Sequence, residues 1–161
     1  MTIPERHIAQ CKCGQVRFEA SGEPIVTTSC NCAHCQQAGR LLEALPGASQ
    51  ILGASGETPM TFYRKDHVHC TQGASLLGEH RLKPESPTRR IVASCCNTAM
   101  FLDFTKGHWI SIYRERLPLE RTVVDRKSGL FVLRLVWAWA QMGFRTPTIT
   151  YVKGKINAIP S

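Results

Sequence analysis

Apolar and polar positions alternate along this chain in short stretches, and each such stretch predicts a strand. Gln15-Val16-Arg17-Phe18-Glu19-Ala20 is the first, with Val16 and Phe18 facing one way and Gln15, Arg17 and Glu19 the other. Ser21-Gly22-Glu23-Pro24 reads as a turn. Residues 25–28 read as a second strand that delivers the chain to Cys30. Residues 61–64, 78–82, 90–94, 100–104 and 109–113 are further strand candidates, several of them separated by glycine or proline signals. Pro46, Gly47, Gly53, Gly56 and Pro59 predict short strands and turns over residues 44–59. A mainly β fold of antiparallel sheets follows.

The tail breaks this pattern. Residues 128–145 read SGLFVLRLVWAWAQMGFR, almost without polar interruption apart from Arg134. The run is short of the roughly 20 apolar residues a membrane span needs. Wound as a helix, it places Leu130, Leu133, Trp137 and Phe144 along one face, with Arg134 and Gln141 nearby. A packing helix is the simplest reading. A helix that covers a pocket or forms a homodimer is the alternative.

Composition narrows the class. A chain of 161 residues, 43% hydrophobic and 20% charged, is expected to fold as one globular domain rather than remain disordered. The start MTIPERHIAQ has no apolar run behind a basic segment, so no secretory signal is expected. A cytoplasmic location is expected with it, where eight cysteines stay reduced and serve metal or catalysis rather than disulfides. The net charge of +8 attracts anions, whether acidic metabolites, phosphates or nucleic acid. Its clusters are short, as in Arg89-Arg90 and Arg114-Glu115-Arg116, which suits a solvated basic surface.

Seven cysteines fall into three groups: Cys11-Lys12-Cys13-Gly14, Cys30-Asn31-Cys32-Ala33-His34-Cys35 and Cys95-Cys96-Asn97-Thr98. A Cys-x-Cys or Cys-x-x-Cys turn can set two sulfurs about 2.3 Å from one zinc ion. Gly14 permits the tight turn that the first pair requires. Two such sets joined by a distant third group point to zinc; chance burial of thiols does not explain three cysteines within six residues.

In these segments the chain resembles the glutathione-dependent formaldehyde-activating family, which also includes proteins similar to centromere protein V. Residues 11–20 resemble the family's opening strand. The next family motif, Cys-His-Cys-x-x-Cys followed by arginine and a nearby glycine, stands here as Cys30-Asn31-Cys32-Ala33-His34-Cys35 with Gln36 and Gly39. The third, Phe-Cys-x-x-Cys-Gly, can be laid on residues 92–97. The resemblance runs over residues 10–113. It implies a β-tent-like, zinc-supported unit over residues 1–125, with residues 126–161 as an added extension whose apolar helix packs on the same unit.

The resemblance further implies two metal sites. Cys11, Cys13 and Cys96 match ligands of a structural zinc, whose remaining family ligand falls on Ala93. Cys95 is the obvious replacement; Cys70, a histidine or water are the alternatives. Cys30, Cys32 and Cys35 match the ligands of a catalytic zinc with an open fourth position. The implied cofactor is zinc, about one or two ions per chain. The implied activity is that of a zinc-dependent carbon–sulfur lyase-type enzyme acting on a thiol adduct such as S-hydroxymethylglutathione. Asn31, Gln36 and Gln37 depart from the family pattern, and the lost arginine weakens recognition of glutathione's two carboxylates.

His34, inside the second cysteine loop, is a candidate acid–base group. His67 and His69 read as ordinary surface or core histidines, and Cys70 as a packed thiol. Arg81, Lys83, Arg89 and Arg90 suit either solvated charge or the gathering of an anionic substrate. The rival to an enzyme is a non-catalytic zinc-binding module that contacts nucleic acid or protein through its basic surface.

Overall fold

The seven stretches predicted from alternation each form a strand, to within three residues at either end. The computed structural model describes residues 3–156. Among these the chain runs β1 (Arg6–Gln10), β2 (Arg17–Ser21), β3 (Val26–Cys30), α1 (Ala33–Glu43), β4 (Thr58–Arg64) and β5 (Val68–Gln72). It continues through β6 (Leu77–His80), β7 (Thr88–Ala93), β8 (Thr98–Phe104), β9 (Trp109–Tyr113), α2 (Gly129–Gln141) and β10 (Gly154–Lys155). The fold is mainly β, as the pattern implies. One sheet has the order β10-β6-β7-β8-β9-β4-β3 and a smaller one β1-β2-β5. All pairings are antiparallel except that of β10 with β6.

Strand alternation divides the large sheet's side chains between two cores. Tyr63, Ile91, Phe101, Ile110 and Ile112 meet Val16 and Phe18 of the small sheet, with Phe18 edge-on to Phe101 at 5.2 Å. Met60, Phe62, Val92 and Tyr113 point the other way, towards Leu42 of α1 and Phe131 and Ala138 of α2. Neighbours such as Ile91 and Val92 thus enter opposite cores. A register shift there leaves Met100 as an extra residue in β8, so that Met100 and Phe101 both reach the first core.

Helix α1 has no counterpart among the sequence expectations. Cys32 caps it, accepting the Cys35 backbone N–H at 3.4 Å. Only Ala38, Gly39 and Leu42 are buried, too few apolar positions to announce a helix. Gly39 sits mid-helix, ordinarily a mark against one, because a Cβ there would collide with the Leu52 side chain. The short strands expected over residues 44–59 reduce to the start of β4 at Thr58.

Helix α2 forms as expected, capped by Ser128 and ended by Gly143 in the left-handed region. Its facing corrects the sequence reading. Phe131 and Ala138, followed by Met142, are buried, whereas Leu130, Leu133, Trp137 and Phe144 turn outward, Trp137 being 66% exposed. A helix apolar nearly all round gives periodicity no face to choose. The exposed half is the surface a homodimer through this helix would have to use.

The extension is held at several points. Phe131 lies edge-on to Phe62 at 5.7 Å, Tyr151 packs on Phe18 at 6.1 Å, and the Ile149 carbonyl accepts from Arg89 at 3.1 Å. Residues 157–161 of the expected extension lie outside the described residues. No helix of the described residues is long and apolar enough to cross a membrane.

Candidate functional site

Two turns bring the first cysteine group together. Cys11 and Cys13 lie between β1 and β2, where Gly14, at φ +78°, donates its N–H to the Cys11 carbonyl at 3.0 Å. Cys95 and Cys96 lie in the β7–β8 turn, which Asn97 completes at φ +54°. Asparagine is among the residues that tolerate this conformation, and here it replaces the glycine of the family motif. The sulfur–sulfur distances are 3.6 Å for Cys11–Cys13, 3.8 Å for Cys11–Cys95, 3.4 Å for Cys13–Cys95 and 3.9 Å for Cys95–Cys96. Four sulfurs 2.3 Å from a tetrahedral zinc would stand about 3.8 Å apart. All four lie within 4.8 Å of one another, so the donor set fits the ion.

Ala93 is fully buried in the first core, and the fourth sulfur of the group belongs to Cys95. The surroundings favour ionised sulfur unevenly. Burial raises the Cys96 thiol, but hydrogen bonds from Thr98, at 3.0 Å, and from Cys13 and Cys11 outweigh it and bring it down to about 6. Burial first, then hydrogen bonding to Cys13, Cys11 and Cys96, pushes Cys95 far up. A divalent cation would remove this conflict by stabilising every thiolate at once.

The second group closes over a strand end and a helix start. Cys30 ends β3, Cys32 caps α1 and Cys35 lies in its first turn. The Cys30 and Cys32 sulfurs are 3.4 Å apart, and all three lie within 4.8 Å. Cys30 is pulled down to about 5, chiefly by a hydrogen bond from Cys35, with burial opposing and the Arg126 charge assisting. Cys35, the donor in that bond, is pushed far up. The donor set again fits zinc, one ligand short of a tetrahedron.

This trio opens into a cavity of about 300 Å³ whose apolar wall includes Phe62, Leu102, Phe104 and Trp109. His34, Arg90 and Arg126, with the hydroxyl residues Thr88 and Ser111, are its polar side chains besides the cysteines. An adjoining cavity of about 320 Å³ shares His34, Thr88 and Arg90 and adds Lys83 and Glu85. The largest cavity described, about 630 Å³, lies elsewhere, between the start of β3 and α2, and has no cysteine in its lining. Size therefore does not locate the chemistry.

The family departures find each other. Gln36 donates to the Asn31 side-chain oxygen at 2.7 Å, a neutral pair where the family motif carries histidine and arginine. Among the other residues singled out from sequence, His34 is exposed at the cavity rim. Cys70 lies apart on β5 and donates to the Gln72 carbonyl at 3.4 Å. His67 and His69 join neither thiol group. Arg81 pairs with Glu79 and Arg89 with Asp103. Arg126 escaped the sequence reading, having no motif around it; only its place just before the apolar helix could have hinted at it.

Residues 6–45, from β1 to just beyond α1, match a family model described as glutathione-dependent formaldehyde-activating enzyme. The matched stretch contains Cys11, Cys13, Cys30, Cys32 and Cys35. No curated protein matches the chain. Among solved structures it is similar to a Rhodobacter sphaeroides protein at 14% identity, over 71% of this chain and 89% of that one, with a TM-score of 0.48.

Proposed function

We propose, from the premise that residues 6–45 assign this chain to the glutathione-dependent formaldehyde-activating enzyme family, that it is a zinc-dependent carbon–sulfur lyase-type enzyme acting on a thiol adduct such as S-hydroxymethylglutathione. The observation that carries this reading is the convergence of Cys30, Cys32 and Cys35 at the mouth of an apolar cavity, one donor short of a closed site. The four-sulfur set of Cys11, Cys13, Cys95 and Cys96 is then the structural centre.

Zinc held by three thiolates supplies a Lewis-acid position that favours thiolate over thiol and polarises a carbonyl oxygen. The remaining work belongs to the chain. The apolar wall of Phe62, Leu102 and Trp109 excludes water and holds the adduct with its sulfur towards the cysteines. In cleavage the carbon–sulfur bond breaks, the hydroxyl gives up its proton and the departing sulfur gains one, leaving an aldehyde and a thiol. The reverse sequence forms the adduct. In this reading His34, which lines the cavity, carries that proton.

Zinc per chain, measured by elemental mass spectrometry, tests the metal assignment. About two ions are expected in the wild type and about one in either Cys35→Ser or Cys96→Ser. A Cys35→Ser protein that keeps as much zinc as the wild type would sink the catalytic assignment. Zinc-loaded protein that neither binds nor turns over glutathione, its formaldehyde adduct or a related thiol adduct would sink the enzyme reading.

A further inference from the structure

Adjacent arginines on β7 have opposite fates. Arg89 is fully engaged: it donates to Asp103 at 2.8 and 3.0 Å and to the Ile149 carbonyl, and lies 3.8 Å from Glu79. Arg90 projects to the other side of the sheet and is only 3% exposed, yet its guanidinium has no hydrogen bond or ion pair among the described residues. A buried guanidinium without an anion is costly, so its retention calls for a partner. Arg90 lines the thiol cavity, the adjoining cavity and the crevice behind Cys35. Glu85, which lines the adjoining cavity, is exposed and forms no ion pair among the described residues.

A second cation shares the thiol cavity. Arg126 sits 5.9 Å over the Phe62 ring and 5.7 Å over that of Phe131, which orients it without a carboxylate partner among the described residues. The same cavity is lined by the aromatic and aliphatic side chains Phe62, Leu102, Phe104 and Trp109.

We infer that this cavity takes a thiol, or its aldehyde adduct, that bears a carboxylate on an apolar body, with Arg90 binding the carboxylate and Arg126 closing over it. The inference rests on the reading of Cys30, Cys32 and Cys35 as an open metal site, since that is where the ligand's sulfur belongs. Guanidinium suits this role because its planar fork matches a carboxylate in two hydrogen bonds. Arg90 and Arg126 thus take over, from other elements, the anion recognition that Gln36 and Gln37 cannot supply.

Calorimetric titration of the zinc-loaded protein with 3-phenylpropanoate and 3-phenylpropanamide tests this, because the two differ only in charge and neither carries sulfur. The acid is expected to bind roughly tenfold tighter than the amide, and Arg90→Gln to abolish that preference. Arg90→Lys should keep part of it. Arg126→Gln, a change at an exposed position, should reduce it with an unaltered circular dichroism spectrum, so the test survives if the Arg90 variants fold poorly. Equal binding of acid and amide, or a preference left undiminished in Arg126→Gln, would overturn the inference and leave the two cations as neutralisers of thiolate charge. A further titration with 2-mercapto-3-phenylpropanoate separates the layers. If it binds no tighter than 3-phenylpropanoate, the open metal site fails and the carboxylate result stands.

Discussion

Asp103 shows how much one side chain can hold in place. Its carboxylate, with 1% of its side-chain surface exposed, forms an ion pair with Lys65 at 3.0 Å and accepts from Arg89 at 2.8 Å, so two buried cations from β7 and the segment after β4 depend on it. Replacing it with alanine leaves Lys65 without a carboxylate among the described residues and Arg89 with only the more distant Glu79, at 3.8 Å, and breaking such a buried pair costs about 3–5 kcal/mol. Urea denaturation of Asp103→Ala should show a loss of that size, against less than about 1 kcal/mol for Glu19→Ala, whose partner Arg6 is surface-exposed. Equal losses would refute the account. Nothing in the sequence separates Arg89 from Arg90; both are basic residues in one strand, and only the pairing of β7 with β8 sends the first to Asp103 and the second to the cavity. The cysteines are the opposite case. Their spacing announced that the thiols gather in two groups, because ligand-like cysteine spacing is local in sequence while charge pairing across a sheet is not.

Among the elements, α2 carries the clearest pH sensitivity. Its Trp139 stacks on His108 at 5.8 Å and an interplanar angle of 11°, and His108 is buried with its Nε2 unpartnered among the described residues. Burial holds this imidazole below its ordinary range; Lys65 and Arg64 push it the same way, while the Leu135 carbonyl and Asp66 oppose them. With a folded value below the unfolded one, the unfolded chain binds the proton first. The stability this contributes is complete above about pH 6.5 and declines as pH falls towards the folded value. Thermal melts at pH 7.5 and pH 5.5 should therefore differ, with the acid melt lower, and His108→Leu should shrink the difference. His67 and His80, also held low by burial, will keep part of it. A difference unchanged in His108→Leu would remove this histidine from the account. The strands were legible because each shows period-two alternation. By contrast, β1 and β5 are short strands of the small sheet with mixed burial, and α1 hides behind its cysteines.

At the scale of the whole molecule the two thiol groups have different mechanical roles. The first joins the β1–β2 turn to the β7–β8 turn, across 84 residues between Cys11 and Cys95, and so ties the small sheet to the large one. The second spans only residues 30–35 and secures the start of α1 to the end of β3. By analogy with a covalent cross-link, closing a loop of the first length is worth on the order of 4 kcal/mol in chain entropy, and closing one of the second length about half as much. Zinc loss should therefore be unequal in its consequences. Cys13→Ser is expected to lower the melting temperature by many degrees and to speed hydrogen exchange across β1, β2 and β5, the strands that then rely on the apolar contacts of the first core for attachment. Cys35→Ser should leave the melting temperature within a few degrees of the wild type and raise exchange only near α1, while abolishing the tighter binding of a thiol ligand. Chelation that strips both sites should reproduce the Cys13→Ser melt. Equal destabilisation by the two substitutions would mean that both groups hold the fold together, and a stable Cys13→Ser protein would mean that the first core holds the sheets without its metal.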